Sequence, residues 1–214
     1  MQNLVSPPGS DKVVRQRGRP RGFDRDAALA RATRLFWEKG YEATSINDLT
    51  EALGIGAPSL YAAFGSKEAL YTEALNYYCE SNAALVWGRF AAAATAREAV
   101  RHFLMDSAAA LTGAVADIPR GCMVTLSSVG GEGHDALGRL VRDTRAATLE
   151  RLTARLHQAV EEGEIAASTD LHSLARFVQT VQAGMSILAR DGAGTAELSE
   201  VAELAMLGWD ARLS

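Results

Sequence analysis

Residues 40–70 read GYEATSINDLTEALGIGAPSLYAAFGSKEAL, and the order of hydroxyls, glycines and apolar side chains in this stretch predicts two short helices leading into a long one. Thr44 and Ser45 precede Ile46, Leu49, Ala52 and Leu53 at helical spacing, and Asp48, three residues after Ser45, is placed to complete an N-terminal cap. Gly54 closes that helix. Ile55 and Gly56 make a tight turn, and Ala57-Pro58-Ser59 open the next helix, where proline is tolerated because first-turn amides lack intrahelical partners. Leu60 and Phe64 face a small core. After Gly65, Ser66 is a suitable cap for a long helix with Glu68 in its first turn and Leu70, Tyr71, Ala74, Leu75, Tyr78 and Cys79 on one side, running to about Phe90.

Working outward, Ala28, Leu29, Ala32, Leu35 and Phe36 recur at three- and four-residue intervals and predict a packing helix from about Asp24 to Lys39, stopped by Gly40. Residues 1–22 carry no apolar periodicity and read as a flexible basic arm. Towards the C-terminus, helical patterns span roughly 96–115, 121–129, 134–162, 170–190 and 195–213. No segment alternates with period two for long enough to form a sheet. The fold class is therefore all-α: a three-helix helix-turn-helix domain over 23–66 after the arm, then a larger helical domain over 67–214 for ligand binding and dimerisation.

Hydrophobic residues make up 48% of the 214 and charged residues 22%, which suits a folded globular chain rather than a disordered one. Two cysteines, Cys79 and Cys122, are too few for a disulfide framework and have no zinc-ligand spacing, so a reducing cytoplasm is expected, with no metal and no cofactor. No stretch approaches the roughly 20 apolar residues of a membrane span. The net charge of −4 conceals an asymmetry. Residues 1–66 hold nine basic against seven acidic side chains, about +2, which leaves −6 for the remainder, and Lys12 to Arg21 contains five positive charges and no negative one. A nucleic-acid-binding end joined to an acidic body has this pattern.

Two short helices across a tight turn, braced by a third and preceded by a basic arm, are the parts of a helix-turn-helix, in which one helix enters a major groove about 12 Å wide. From Gly18 to Leu75, and above all in Gly40 to Ile46, Leu53-Gly54-Ile55 and Ser59 to Leu70, the sequence resembles the TetR family of transcriptional regulators. The resemblance implies double-stranded operator DNA as partner. It implies phosphate contacts for Thr44 and Ser45 at the second helix start, a backbone contact for the Tyr61 hydroxyl and phosphate neutralisation by Lys67; capping alone is the alternative for the two hydroxyls. The third helix departs from the family's common pattern, with Gly56, Ala57, Pro58, Ala62 and Ala63 where relatives carry longer polar groups. Base readout is thus expected to be sparse, with Ala57 against a thymine methyl and Ser59 on a base edge, while Arg15, Arg17, Arg19 and Arg21 reach phosphates or the adjacent minor groove.

Beyond Leu75 the resemblance thins. Glu161 to Ile165, Asp170-Leu171 and Gln182 to Met185 still look like a common form of the family's C-terminal domain, which implies a homodimer through the last two helices, with Leu174, Phe177, Val178, Val181, Leu188, Leu198, Val201, Leu204 and Trp209 as its apolar face. A ligand pocket among the middle helices would draw on Tyr78, Trp87, Phe90, Phe103, Met123, Leu126 and Phe177; ordinary core packing is the alternative for each. That set suits a small hydrophobic effector. Cys122 stands near a helix start and beside Arg120, which would favour its thiolate. Some relatives with a similar Gly-Cys turn sense electrophiles or oxidants, so an electrophilic effector is a second expectation, against the ordinary role of a small buried hydrophobe.

The resulting expectation is a dimeric ligand-responsive regulator, a repressor, that releases DNA on effector binding or cysteine modification. An activator would share every motif. An enzyme is disfavoured: His102, His134, His157 and His172 are not grouped with a nucleophile or at metal-ligand spacing, and no phosphate-cradling glycine loop follows a strand.

Overall fold

The computed structural model describes residues 23–129 and 133–213, and all regular structure within them is helical. The helices are α1 (Arg25–Lys39), α2 (Ile46–Leu53), α3 (Ala57–Phe64), α4 (Lys67–Ala92), α5 (Ala96–Leu111), α6 (Met123–Leu126), α7 (Asp135–Glu161), α8 (Leu171–Asp191) and α9 (Thr195–Leu213). The expected basic arm, including Arg15, Arg17, Arg19 and Arg21, lies outside the described residues.

Local chemistry explains the first four boundaries. Asp24 accepts from the Ala27 amide at the start of α1, and the Gly40 amide closes its end on the Phe36 carbonyl. At α2, Ser45 Oγ accepts from the Asp48 amide while the Asp48 carboxylate accepts from the Ser45 amide, the reciprocal capping box. Lys39 Nζ lies 2.7 Å from the same carboxylate. Together these donors hold the Asp48 carboxyl far below its ordinary range, the Lys39 contact first and the Ser45 bonds after it. Ser66 Oγ takes the Ala69 amide and starts α4.

Two apolar cores organise the chain. The first buries Ala28, Ala32 and Phe36 of α1, Leu49 and Leu53 of α2 and Leu60 and Phe64 of α3 against Leu70, Tyr71, Ala74 and Leu75 of α4. It also takes Met123, Val124, Val129, Leu137 and Val141, so this interior continues past residue 66 into α4, α6 and the start of α7. Leu49 is fully enclosed, and truncating it to alanine removes packing worth about 2–5 kcal/mol. The second core, centred on Phe103, Leu152, Val178, Met185 and Trp209, joins α5, α7, α8 and α9. Cys122 packs against both.

Two of the expected helices are shorter than their sequence patterns. The α5 helix ends at Leu111 instead of near Val115, because the Gly113 and Ala114 amides turn back onto the Ala110 and Ala109 carbonyls. The pattern over 121–129 condenses to the single turn of α6. Residues 112–122 form a strap that leaves α5, meets α1 at Arg34 and Trp37, and returns to the end of α5, where the Gly121 amide donates to the Leu111 carbonyl.

Candidate nucleic-acid interface and internal cavity

The exposed surface of α3 carries no charged side chain, and α2 adds the exposed carboxylate of Glu51 beside the Lys39-paired Asp48. On α3, Leu60 and Phe64 anchor the helix inward, while Ser59 and Ala62 are exposed, Tyr61 is 46% exposed and Ala57 is half-buried. A helix of eight residues braced on one side and free on the other has the shape required to enter a major groove. Its sparse polar complement, Ser59 and Tyr61, limits what it can read from base edges. Lys67, at the first turn of α4, holds its Nζ 4.2 Å from the centre of the Tyr41 ring, beside α3. The ring of Tyr41 is buried, and its hydroxyl is pushed up to about 12, by burial first and then by Glu68 and Glu42.

The two hydroxyls at the α2 start differ. Ser45 is exposed at the helix terminus, with its hydroxyl donating to Asp48 Oδ2 at 2.7 Å, a solvent-facing bond that a phosphate could replace. Thr44 is fully buried and donates its hydroxyl to the Gly40 carbonyl at 2.6 Å, so its side chain closes the turn after α1 and has no free donor for a phosphate. The cap is made by Ser45, and Thr44 closes the preceding turn instead; its spacing beside Ser45 gives no sign that it points inward.

A cavity of about 710 Å³ lies between α4, α5, α7 and α8, floored by the strap. This size is within the range of small-molecule sites. Tyr78, Trp87, Phe103 and Cys122 line it as expected from sequence. Four other residues of that set sit elsewhere. Phe90 is buried behind Trp87 and Phe103, edge-on to Trp87, and Met123 belongs to the first core. Leu126 packs over Gly121, and Phe177 is 40% exposed on the outer side of α8 beside Gly208 of α9. An apolar stripe marks any buried helix face, whether it meets a cavity or a neighbouring helix. The polar lining, including Asn82, Thr144, Thr148 and Gln179, has no signature in apolar helical spacing.

Cys122 is the polar centre of one end of the cavity. Tyr78 donates its hydroxyl to Cys122 Sγ at 3.2 Å, and the Cys122 amide donates to Ser186 Oγ at 2.8 Å. Burial, reinforced by Cys122, raises the Tyr78 hydroxyl well above its ordinary range, so it stays protonated as a donor. Burial likewise pushes the Cys79 thiol up to about 11. The two features expected to activate Cys122 are weak here. Arg120 turns away to donate to the Ala193 carbonyl, and the helix that Cys122 precedes is one turn long.

The strap ties this end of the cavity to α1. Trp37 donates its indole N–H to the Gly121 carbonyl at 3.0 Å and stacks edge-on against Tyr78 with centroids 4.6 Å apart. Arg34 pairs with Asp117. From α8, Arg190 donates to the carbonyls of Arg120, Glu38 and Trp37 at 2.9, 3.1 and 2.8 Å, gripping the strap and the last turn of α1 with one guanidinium. Among the described residues, no cluster of His, Cys, Asp and Glu is arranged to hold a metal ion, and no helix is long and apolar enough to cross a membrane.

Comparison with known proteins supplies context. A family model described as bacterial regulatory proteins of the tetR family matches residues 28–74. Over 209 residues the chain is 37% identical to the HTH-type transcriptional repressor ComR of Escherichia coli (strain K12), covering 92% of this chain and 94% of that one. Over 72 residues it is 47% identical to the repressor BdcR of the same organism, covering 34% and 36%. Among solved structures, a cysteine-substituted form of the TetR family transcriptional regulator CifR, in complex with 26-base-pair double-strand operator DNA, superposes with a TM-score of 0.83 at 39% identity, covering 90% of this chain and all of that one.

Proposed function

The chain belongs to the TetR family of bacterial regulatory proteins, and from that premise we propose that it is a dimeric repressor that binds operator DNA through α2 and α3 and releases it when a small molecule fills the cavity or modifies Cys122. The reading is supported by ComR and BdcR, both named as repressors, and by CifR, whose structure holds operator DNA. On DNA, Ser45, Tyr61 and Lys67 contact the backbone, Ala57 and Ser59 face the bases, and Arg15, Arg17, Arg19 and Arg21 of the arm supply most of the salt-dependent affinity.

One observation carries the coupling between ligand and DNA. The strap residue Gly121 accepts from Trp37 of α1, and its neighbour Cys122 lines the cavity in contact with Tyr78 of α4. A molecule that displaces Tyr78 or adds mass to the sulfur shifts the strap, and with it the end of α1. Because α1 and α4 both brace the reading helix, a small rotation there changes the separation of two reading helices in a dimer, and affinity for a fixed half-site spacing falls. The dimer face is the outer side of α8 and α9, where Phe177, Ile187, Leu188, Leu204 and Leu207 are exposed together. Leu174, Val178, Leu198 and Trp209, also expected there, are spent on the subunit's own core.

The test begins with operator selection from a random duplex pool, followed by a salt titration of binding. A steep fall in affinity with salt is expected. Cys122→Ser is then challenged with a quinone and with peroxide: it should keep operator affinity and lose release. If this variant releases DNA as the native chain does, sensing through Cys122 is wrong.

A further inference from the structure

The cavity wall formed by α7 and α8 is cationic, and no carboxylate answers it. Arg145, Arg151 and Arg176 line the cavity together, and the lining contains no Asp or Glu. Several arginines elsewhere are ion-paired, Arg25 with Glu73, Arg89 with Asp106, Arg97 with Asp210 and Arg101 with Glu203, while Arg120 and Arg190 donate to backbone carbonyls. Among the described residues, the three cavity arginines have no such ion pair.

Their engagements leave donors free. Arg145 is committed to the carbonyls of Val124, Thr125 and Ser127 around the end of α6, so it serves mainly as a clamp. Arg151 lays its guanidinium over the face of Trp87, 4.5 Å from the ring centre. Stacking holds the plane of the guanidinium but leaves its in-plane N–H groups open. Arg176 uses one nitrogen on Gln179 Oε1 at 2.8 Å. Gln179 in turn donates to the Arg145 carbonyl, and in this antiparallel helix pair that register puts Arg176 level with Thr148, one turn from Arg151. Both guanidiniums are thus open to an occupant of the cavity that they line. A planar guanidinium presents paired donors at the spacing of a carboxylate's two oxygens.

We propose that the cavity takes an apolar carboxylate, with the carboxylate held by Arg151 and Arg176 and the apolar body lying along Trp87, Phe103 and Val86 towards Tyr78 and Cys122. The proposal rests on the reading of this cavity as the effector site and adds a charge to a ligand that apolar lining alone would leave neutral. Tyr78 and Trp87 are nine residues apart on α4, about 13 Å along its axis, so the occupant has an elongated space with a cationic end and a thiol end. Arg151 and Arg176 are at the outer edge of the cavity, where their charges remain hydrated until an anion arrives, which removes the cost of burying them unpaired.

The experiment uses the full chain, with decanoate and 4-phenylbutyrate as probes, each against its primary alcohol. Calorimetry reads binding, and a labelled operator duplex reads release. The acids are expected to bind at least about tenfold more tightly than the alcohols, the margin of a charge-assisted hydrogen-bond pair. The double variant Arg151→Gln/Arg176→Gln should erase that margin while keeping the alcohol affinity and the far-ultraviolet dichroism. Arg142→Gln, exposed on α7 outside the lining, should leave it intact. If the alcohols bind as well as the acids, if neither binds, or if the double variant retains the preference, the proposal is overturned. Acid binding without operator release supports the ligand class and overturns the effector role. A chain that binds no operator refutes the repressor reading, while the calorimetry still decides the cavity's chemistry.

Discussion

Replacing Gly121 by alanine tests whether the strap is a tight joint or a loose connection. Gly121 has φ +79°, and a Cβ built there would stand 2.4 Å from Leu126 Cδ1 and 2.9 Å from the Ser186 carbonyl oxygen. The leucine methyl can swing aside. The carbonyl belongs to the backbone of α8 and cannot. Gly163, after α7, has φ +79° as well but meets nothing within 4 Å, so it isolates the conformational part of the cost. Forcing an L-residue into the left-handed region costs about 1–2 kcal/mol. Overpacking against an immobile atom adds about 1–3 kcal/mol. Gly163→Ala is therefore expected to lose about 1–2 kcal/mol, and Gly121→Ala about 2–5 kcal/mol by the same two effects together. Urea unfolding followed by dichroism, at one protein concentration because a dimer's midpoint depends on it, gives both values. The Gly121 variant should also bind operator less tightly, since the strap is hydrogen-bonded to α1 through Trp37. If the two alanine variants are equally stable, the strap yields freely and the reasoning fails.

Five further outcomes are expected. Ser45→Ala removes the side-chain half of the α2 cap and should lower stability by about 1 kcal/mol, measured by thermal or urea unfolding. Asp48 has a depressed carboxyl pKa, so its contribution is fully present above the unfolded carboxylate value of about 3.9 and is lost only as pH falls through the lower folded value; Asp48→Asn should flatten that part of an acid-unfolding curve. Tyr41, Tyr71 and Tyr78 have raised hydroxyls, so their contribution is complete below about pH 10 and lost as pH rises through the folded values, near 12 for Tyr41; phenolate absorbance should show these three lagging behind an unfolded control. Lys67→Gln should weaken operator binding equally across sequences and reduce the salt slope by about one, and Leu204→Glu with Leu207→Glu should shift sedimentation from dimer to monomer.

The N-terminal third was legible because each boundary there depends on neighbours in sequence. Ser45 and Asp48 cap α2 whatever surrounds them, Pro58 fits a first turn, and Ser66 starts α4. The same local logic carried α7, α8 and α9 to within a residue at each end. It failed where tertiary contact decides. The helical patterns over 96–115 and 121–129 reach into residues 112–115 and 121–122, but there the Gly121 amide is taken by the Leu111 carbonyl and its carbonyl by Trp37, partners outside the local pattern. The candidate site divided in the same way. Ser59 and Tyr61 are exposed, as helical spacing against Leu60 and Phe64 requires, whereas Thr44 turned inward. In the cavity, aromatic spacing located Tyr78, Trp87 and Phe103, yet the arginines of α7 and α8 have the spacing of any solvated helix face. Only the packing of the two helices shows that they share a wall.

Trp37 has a consequence for anyone recombining this protein with its relatives. It falls within the range 23–66 expected for the helix-turn-helix domain, but its ring is part of the cavity lining. A chimera that grafts residues 1–66 of this chain onto another regulator therefore transplants a piece of the cavity wall along with the helix-turn-helix, and leaves the host body with a foreign wall. A clean exchange requires the host's own side chain to be restored at position 37.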